Sequence, residues 1–261
     1  MKFSAISDVH VKKPGDQAEK LLLDFLRNPD VQSSDIIFLL GDIFDLMIGP
    51  HSQYFLQFQD YFKEIKKIIL TGKRICYVEG NHDFHLKNLY RQFFEIHREL
   101  DSSLFKMAPS FEFTDANKKI YLCHGDDLEL NNSSYKIYKS IVTSPPLSFY
   151  ANKLMPHFLI KSIGEYSSEK SRKRNNARYF HESDLIPVRD NFRESMEVFY
   201  KKNTYQIMVC GHSHVKDYYI SPSGFEYVNN GYAQNSKTYI SILNGDISYK
   251  PIYTANGSLF K

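Results

Sequence analysis

Asp, His and Asn gather in this chain in five short polar clusters, each directly after a run of large apolar residues. Asp8 and His10 follow Phe3-Ser4-Ala5-Ile6, and Asp42 and Asp45 follow Ile36 to Leu40 and Gly41. Asn81, His82 and Asp83 follow Ile75 to Val78, with Gly80 between. His124 and Asp126 follow Ile120 to Cys123; His212 and His214 follow Ile207 to Cys210 and Gly211. One Asp after an apolar run is usually a helix N-cap or a turn residue, and a lone His is more often a hydrogen-bonded surface or core residue than a ligand. Five clusters converging on one edge of a sheet are a different matter. Packing imidazoles and carboxylates together costs desolvation and repulsion unless a cation compensates. The donors also narrow the cation: carboxylate oxygens, an Asn carbonyl and imidazoles without thiolate suit a borderline divalent ion such as Mn²⁺, Fe²⁺ or Zn²⁺. About seven donors exceed the needs of one ion, whereas two ions roughly 3.5–4 Å apart and sharing a carboxylate fit. Such a pair acidifies a shared water and clamps both the attacking and the leaving oxygen of a displacement at phosphorus. The chemistry is hydrolysis of a phosphoester or phosphoanhydride.

The apolar runs that carry these clusters, four or five β-branched or large residues closed by a polar turn, read as buried strands. Ala18 to Leu26 and Tyr54 to Leu70 read as helices between them, the second with apolar residues at Phe55, Phe58, Phe62, Ile65 and Ile69. Strand–helix alternation predicts layered α/β architecture with chemistry on loops at the carboxyl ends of strands. Beyond His214, Tyr218-Tyr219-Ile220, Phe225 to Val228 and Thr238 to Ile242 read as antiparallel hairpins completing a second sheet. Residues 127–205 break the alternation; they read as helical, with Pro145, Pro146, Pro156 and Pro187, and form a cap inserted in a single domain spanning 1–261.

Composition fits that picture. With 261 residues, 42% apolar and 24% charged, the chain is an ordinary globular one and wholesale disorder is excluded. The net charge of +3 (33 basic against 30 acidic residues) leaves any anionic partner to a local patch. Cys76, Cys123 and Cys210 sit in apolar runs with no metal or redox spacing, as expected of reduced buried thiols. The N-terminus turns polar at Asp8, too early for a secretory apolar region, and no stretch is apolar enough to span a bilayer. The expectation is a cytoplasmic chain, soluble or peripheral on a membrane.

Taken together, Asp8-x-His10, Gly41-Asp42-x-x-Asp45, Gly80-Asn81-His82-Asp83, His124-Gly125-Asp126 and Gly211-His212-x-His214 resemble the full signature of the calcineurin-like metallophosphoesterases, in family order. The resemblance implies a four-layer αββα sandwich with a dinuclear centre. One ion would be held by Asp8, His10, Asp42 and His214, the other by Asp42, Asn81, His124 and His212, with Asp42 as the bridge. His82 would reach a phosphoryl oxygen or the leaving group as a general acid, and Asp83 would orient its imidazole; the blander alternative is that both merely complete the turn. Asp45 would cap the following helix or support a ligand His.

The segment after the fourth cluster narrows the substrate. Asn131-Asn132-Ser133-Ser134-Tyr135, Pro145-Pro146-Leu147, the apolar Phe149, Leu154, Met155, Phe158, Leu159 and Ile163, and Ser167 to Arg174 resemble the helical cap of the UDP-2,3-diacylglucosamine pyrophosphatases of lipid A synthesis. Gly41 to Gly49 resembles that family's extended second motif. This implies an acylated, anionic nucleotide-sugar substrate contacted by Asn81, His82, Asn132, Tyr135, Lys170, Lys173 and His212. The apolar stretch would line a chamber for acyl chains, at about 0.8 kcal/mol per buried CH₂. Lys170, Arg172, Lys173, Arg174 and Arg178 would neutralise the pyrophosphate and seat the protein on the cytoplasmic face of the inner membrane, at about 1 kcal/mol per basic side chain. The plainer readings are helix packing and a solvated basic face. Nucleic acid is not expected, since no aromatic residue interleaves the basic run. Two positions depart from that family: His82 stands where many members carry Arg, and Asn132 where an Asp is expected. The competing functions are a related phosphoesterase acting on another phosphodiester, a nucleotide or a phosphoprotein, and a binding scaffold that has lost its metals, which the intact ligand set disfavours.

Overall fold

The computed structural model describes residues 1–130, 182–254 and 257–260. Two sheets dominate. The six-stranded sheet has the order β13-β12-β1-β2-β4-β6, built from β1 (Lys2–Ile6), β2 (Ile36–Leu40), β4 (Arg74–Val78), β6 (Phe105–Met107), β12 (Thr238–Leu243) and β13 (Asp246–Pro251). The five-stranded sheet has the order β10-β11-β9-β8-β7, built from β7 (Ser110–Asp115), β8 (Lys118–Cys123), β9 (Ile207–Cys210), β10 (Lys216–Ile220) and β11 (Glu226–Asn230). A two-stranded parallel pair, β3 (Met47–Ile48) and β5 (Asp83–Phe84), links the loops that follow β2 and β4.

The period-two alternation of a strand explains the layering. On β2, Ile37 and Leu39 pack on helices, while Ile36, Phe38 and Leu40 face the other sheet. Buried on both faces, the strand reads in sequence as one unbroken apolar run. On β4 the same division places Ile75 and Tyr77 outside and Cys76 and Val78 between the sheets. Ile120, Leu122, Ile207, Val209 and Val228 meet them from the five-stranded sheet. On that sheet's outer side, Cys123, Met208, Cys210 and Tyr227 pack against Phe192 and Met196. The result is helices, sheet, sheet, helix: the αββα sandwich that the resemblance implied.

The helices over the six-stranded sheet are α1 (Gln17–Arg27), the short α2 (Pro29–Gln32), α3 (Gln53–Gln57), α4 (Gln59–Leu70) and α5 (Lys87–Ile96). Asp16 begins α1 by accepting the Glu19 backbone N–H at 2.7 Å. Asn28 ends α1 and opens α2, accepting the Asp30 N–H at 2.9 Å. Between β8 and β9 comes α6 (Glu182–Asn203), and between β11 and β12 the short α7 (Ala233–Ser236).

Three expectations need correction. The helix read over Tyr54 to Leu70 is interrupted at Phe58, whose backbone (φ −115°, ψ 43°) leaves the helical region while its ring packs 4.6 Å from Phe44. Thr238 to Leu243 forms a hairpin with β13, but it joins β1 in the six-stranded sheet rather than completing the second one. Alternation reveals that a strand pairs, not which free edge it takes. Finally, the last part of the 127–205 span is α6, which lies on the outer face of the five-stranded sheet and so is a layer of the sandwich. Residues 131–181 lie outside the described residues, and with them Asn132, Tyr135, Lys170, Lys173, the Phe149 to Ile163 stretch and the basic segment.

Candidate metal centre

β1, β2 and β4 run parallel as neighbours, and so do β8 and β9. Their carboxyl-end loops meet at one edge, stitched by backbone bonds: Asp8 N–H to Gly41 O at 3.1 Å, His10 N–H to Asp42 O at 3.0 Å and Gly211 N–H to His124 O at 2.8 Å. These loops bring together all seven residues expected to bind metal. Asp8, His10, Asp42, His212 and His214 each have φ between 51° and 65°, the left-handed region. That conformation costs a non-glycine residue about 1–2 kcal/mol, and here it recurs at five of the seven positions. Crowding is severe where the loops cross. A Cβ on Gly80 would lie 2.2 Å from Asp42 Oδ1, and one on Gly211 2.5 Å from Asp8 Oδ2. Only hydrogen fits at either place.

Two of the three donor groups among the described residues share Asp42, the third being His10, Asp45 and His82. Asp8, His10, Asp42 and His214 offer ligand atoms within 4.8 Å of one another, and Asp42, His124 and His212 form a second such group. Asp42 Oδ2 lies 3.7 Å from His10 Nε2 and 3.6 Å from His124 Nε2, so one carboxylate serves both. Asn81 Oδ1 completes the second group, 3.2 Å from His124 Nε2 and 2.9 Å from His212 Nδ1. In the first group, His214 Nε2 is 3.4 Å from Asp8 Oδ1 and 3.2 Å from His10 Nε2. His124 Nδ1 lies 2.9 Å from the Leu40 carbonyl, where it donates its proton and leaves Nε2 free toward Asp42.

The electrostatics call for positive charge at this edge. Asp8 and Asp42 are buried. Burial works to raise Asp42, but the rings of His124, His82 and His10 outweigh it and hold the carboxyl well below its ordinary value. Burial likewise works to lower His124, and the Asp42 charge pushes it well above the usual imidazole range. His10 moves the other way, lowered chiefly by burial with Asp45 opposing. Two imidazole nitrogens facing each other at 3.2 Å, around carboxylates cut off from water, need a proton or a cation between them. The donor chemistry therefore fits divalent metal in both groups.

His82 and Asp83 both lie in this cluster, and it is Asp83 whose contacts differ from those expected. The Asp83 carboxylate does not orient His82. It accepts the backbone N–H groups of Asp42 (3.0 Å), Ile43 (2.7 Å), Phe44 (3.3 Å) and Gly80 (2.8 Å), and the Tyr77 hydroxyl at 2.6 Å. It thereby locks the second loop to the third. Burial, followed by the Asp42 charge, pushes Asp83 up to about 7. His82 instead turns Nδ1 to the Asp45 carbonyl at 2.9 Å, and its backbone N–H is given to Asp42 Oδ1 at 2.9 Å. Asp45 stands beside His10, its Oδ1 3.5 Å from His10 Nδ1. It does not cap the next helix, whose N-cap is Ser52. Asp83→Ala is expected to lower stability by several kcal/mol, since each orphaned buried donor costs about 1–3 kcal/mol; the urea unfolding midpoint reads this directly, and an unchanged midpoint would contradict the lock.

Two side chains at the centre carried no sequence signal. Tyr232 stacks on His214 with ring centroids 5.4 Å apart. Glu129 brings Oε2 to 3.5 Å from His212 Nε2. Neither lies in one of the five motifs, and only tertiary folding brings them there.

Sandwich, strand-end loops and shared carboxylate define a class. The chain belongs to the calcineurin-like phosphoesterase family, whose sequence pattern matches residues 1–216, and is a metal-dependent hydrolase. It is similar to the UDP-2,3-diacylglucosamine hydrolase of Psychromonas ingrahamii, at 24% identity over 82% of this chain and 81% of that one. The Histophilus somni hydrolase of the same name is 25% identical over 84% of this chain and 87% of its own. That of Actinobacillus succinogenes is 23% identical, over 94% of this chain and 97% of that one. Among the described residues, no helix is long and apolar enough to cross a membrane.

Proposed function

We propose that the protein hydrolyses the pyrophosphate of UDP-2,3-diacylglucosamine, releasing UMP and 2,3-diacylglucosamine 1-phosphate. The reading rests on one observation above all: two donor groups that share Asp42 at the meeting point of five strand-end loops. The names of the relatives, matched over most of both chains, supply the substrate.

Asp8, His10, Asp42 and His214 would hold one ion, and Asp42, Asn81, His124 and His212 the other, with Mn²⁺ the first choice. When bound, the pair supplies Lewis-acid charge to phosphoryl oxygens and an acidified water. The side chains do the rest. His82 donates Nδ1–H to the Asp45 carbonyl, so as the imidazolium it presents Nε2–H to give a proton or hydrogen bond to a phosphoryl or leaving oxygen, and returns to the Nδ1–H neutral form. Asp83 serves this step indirectly, by holding the loops that carry Asp42 and His82 in register. In the overall reaction one water adds across the P–O bond at the α-phosphorus, and the bridging oxygen leaves on the sugar phosphate. Asn81, His82 and His212 would contact the substrate from the core. Asn132, Tyr135, Lys170 and Lys173 would do so from the 127–205 insertion, which we assign as the cap of a single domain spanning 1–261, its last part packed as α6 on the five-stranded sheet. Its apolar and basic residues would receive acyl chains and pyrophosphate and hold the protein at the cytoplasmic face of the inner membrane.

Purified, Mn²⁺-loaded protein is expected to release UMP from the acylated UDP-sugar in preference to cleaving simple phosphodiesters. Turnover of the simple esters alone, without UMP, would reject the lipid assignment and leave a phosphoesterase of other specificity.

A further inference from the structure

The histidines of the second donor group turn one nitrogen inward and the other outward, and the outward partners differ. His124 places its outer nitrogen on a backbone carbonyl, Leu40 O, at 2.9 Å. In the first group, His10 places its outer nitrogen toward the Asp45 carboxylate at 3.5 Å. His212 directs Nδ1 to Asn81 Oδ1 and Nε2 outward, where Glu129 Oε2 stands 3.5 Å away. The loop bearing Glu129 is itself anchored. Leu128 N–H closes a turn on Gly125 O at 3.1 Å, and Leu130 N–H donates to Ser195 Oγ on α6 at 3.0 Å. From the same helix the Asn191 side-chain amide donates to Leu130 O at 3.4 Å, and the Phe192 ring lies 6.1 Å from that of His212.

We propose that Glu129 is the positioning residue of His212. Its carboxylate accepts Nε2–H, which leaves the Nδ1 lone pair aimed at the second ion and fixes the plane of the ring. A ligand histidine whose far nitrogen donates to a carboxylate is both oriented and made more basic. The anchoring to Ser195 and Asn191 ties this orientation to α6, so the packing of the outer helix bears on metal affinity. Nothing in the five motifs assigns this role to Glu129, and the inference rests on the dinuclear reading above.

Titration of metal-free protein with Mn²⁺ by calorimetry tests it. Wild type is expected to bind two ions. In Glu129→Ala the first ion, held by Asp8, His10, Asp42 and His214, keeps its affinity, while the second binds roughly 10–100-fold more weakly. Glu129→Gln keeps an acceptor oxygen and is expected to stay within a few-fold of wild type. Unchanged affinity for both ions in Glu129→Ala, or equal weakening of both, would overturn the assignment. Failure of the wild type to take two ions would instead overturn the dinuclear reading itself. Should Glu129→Ala not fold, the Zn²⁺-loaded wild type, with ¹⁵N-labelled histidine, decides by imidazole NMR. A proton on His212 Nε2 is expected, and a proton on Nδ1 would refute the proposal.

Discussion

Asp42→Ala is expected to reduce turnover by at least about 10³-fold and to bring bound metal from two ions per chain to fewer than one. Its Oδ2 reaches both donor groups, 3.7 Å from His10 Nε2 and 3.6 Å from His124 Nε2. Its loss leaves each group with a nitrogen-rich set and no common anion. Charge stabilisation by the ions is worth several kcal/mol at the transition state, and each 1.36 kcal/mol is a factor of ten in rate. Losing both ions therefore costs three decades at least. Metal analysis beside the UMP-release assay checks both arms. A variant with near-normal turnover would show that Asp42 is no bridge.

His82→Ala is expected to slow the reaction by about 10²–10⁴-fold, the range for removal of a positioned proton donor, while both ions stay bound. The alternative deserves an explicit test, because His10, Asp45 and His82 also offer donor atoms within 4.8 Å of one another. Metal content separates the two roles. A His82→Ala protein that has lost an ion would make His82 a ligand, whereas one with full metal and slow chemistry leaves it at the phosphoryl group. The Nδ1 contact to the Asp45 carbonyl favours the second outcome, since that nitrogen is already engaged.

The centre was readable in the sequence because its determinants are local. Each of the seven donor residues stands within four residues of the end of a buried run, and a strand hydrophobic on both faces is the plainest signal that α/β layering leaves in a chain. What escaped depends on long-range contact. Asp83 sits beside His82 in sequence, yet its carboxylate turns away to four backbone N–H groups and Tyr77. Adjacency suggested a partner; burial selected another. The interruption at Phe58 follows from Phe44 and Tyr54, neither of which a helical period reveals. Glu129 is one acidic residue among many until β8 and β9 pair and bring its loop beside His212.

The left-handed backbone at Asp8, His10, Asp42, His212 and His214 has a bearing on any effort to engineer this enzyme. Glycine adopts that conformation without penalty, so at several of these positions the substitution that relaxes the chain also deletes a ligand. A library ranked on heat resistance in chelating buffer would enrich such replacements and drift toward robust, inert proteins. Selection for durability must therefore be run with the ions present, where the occupied centre rewards the tense conformation that makes it work.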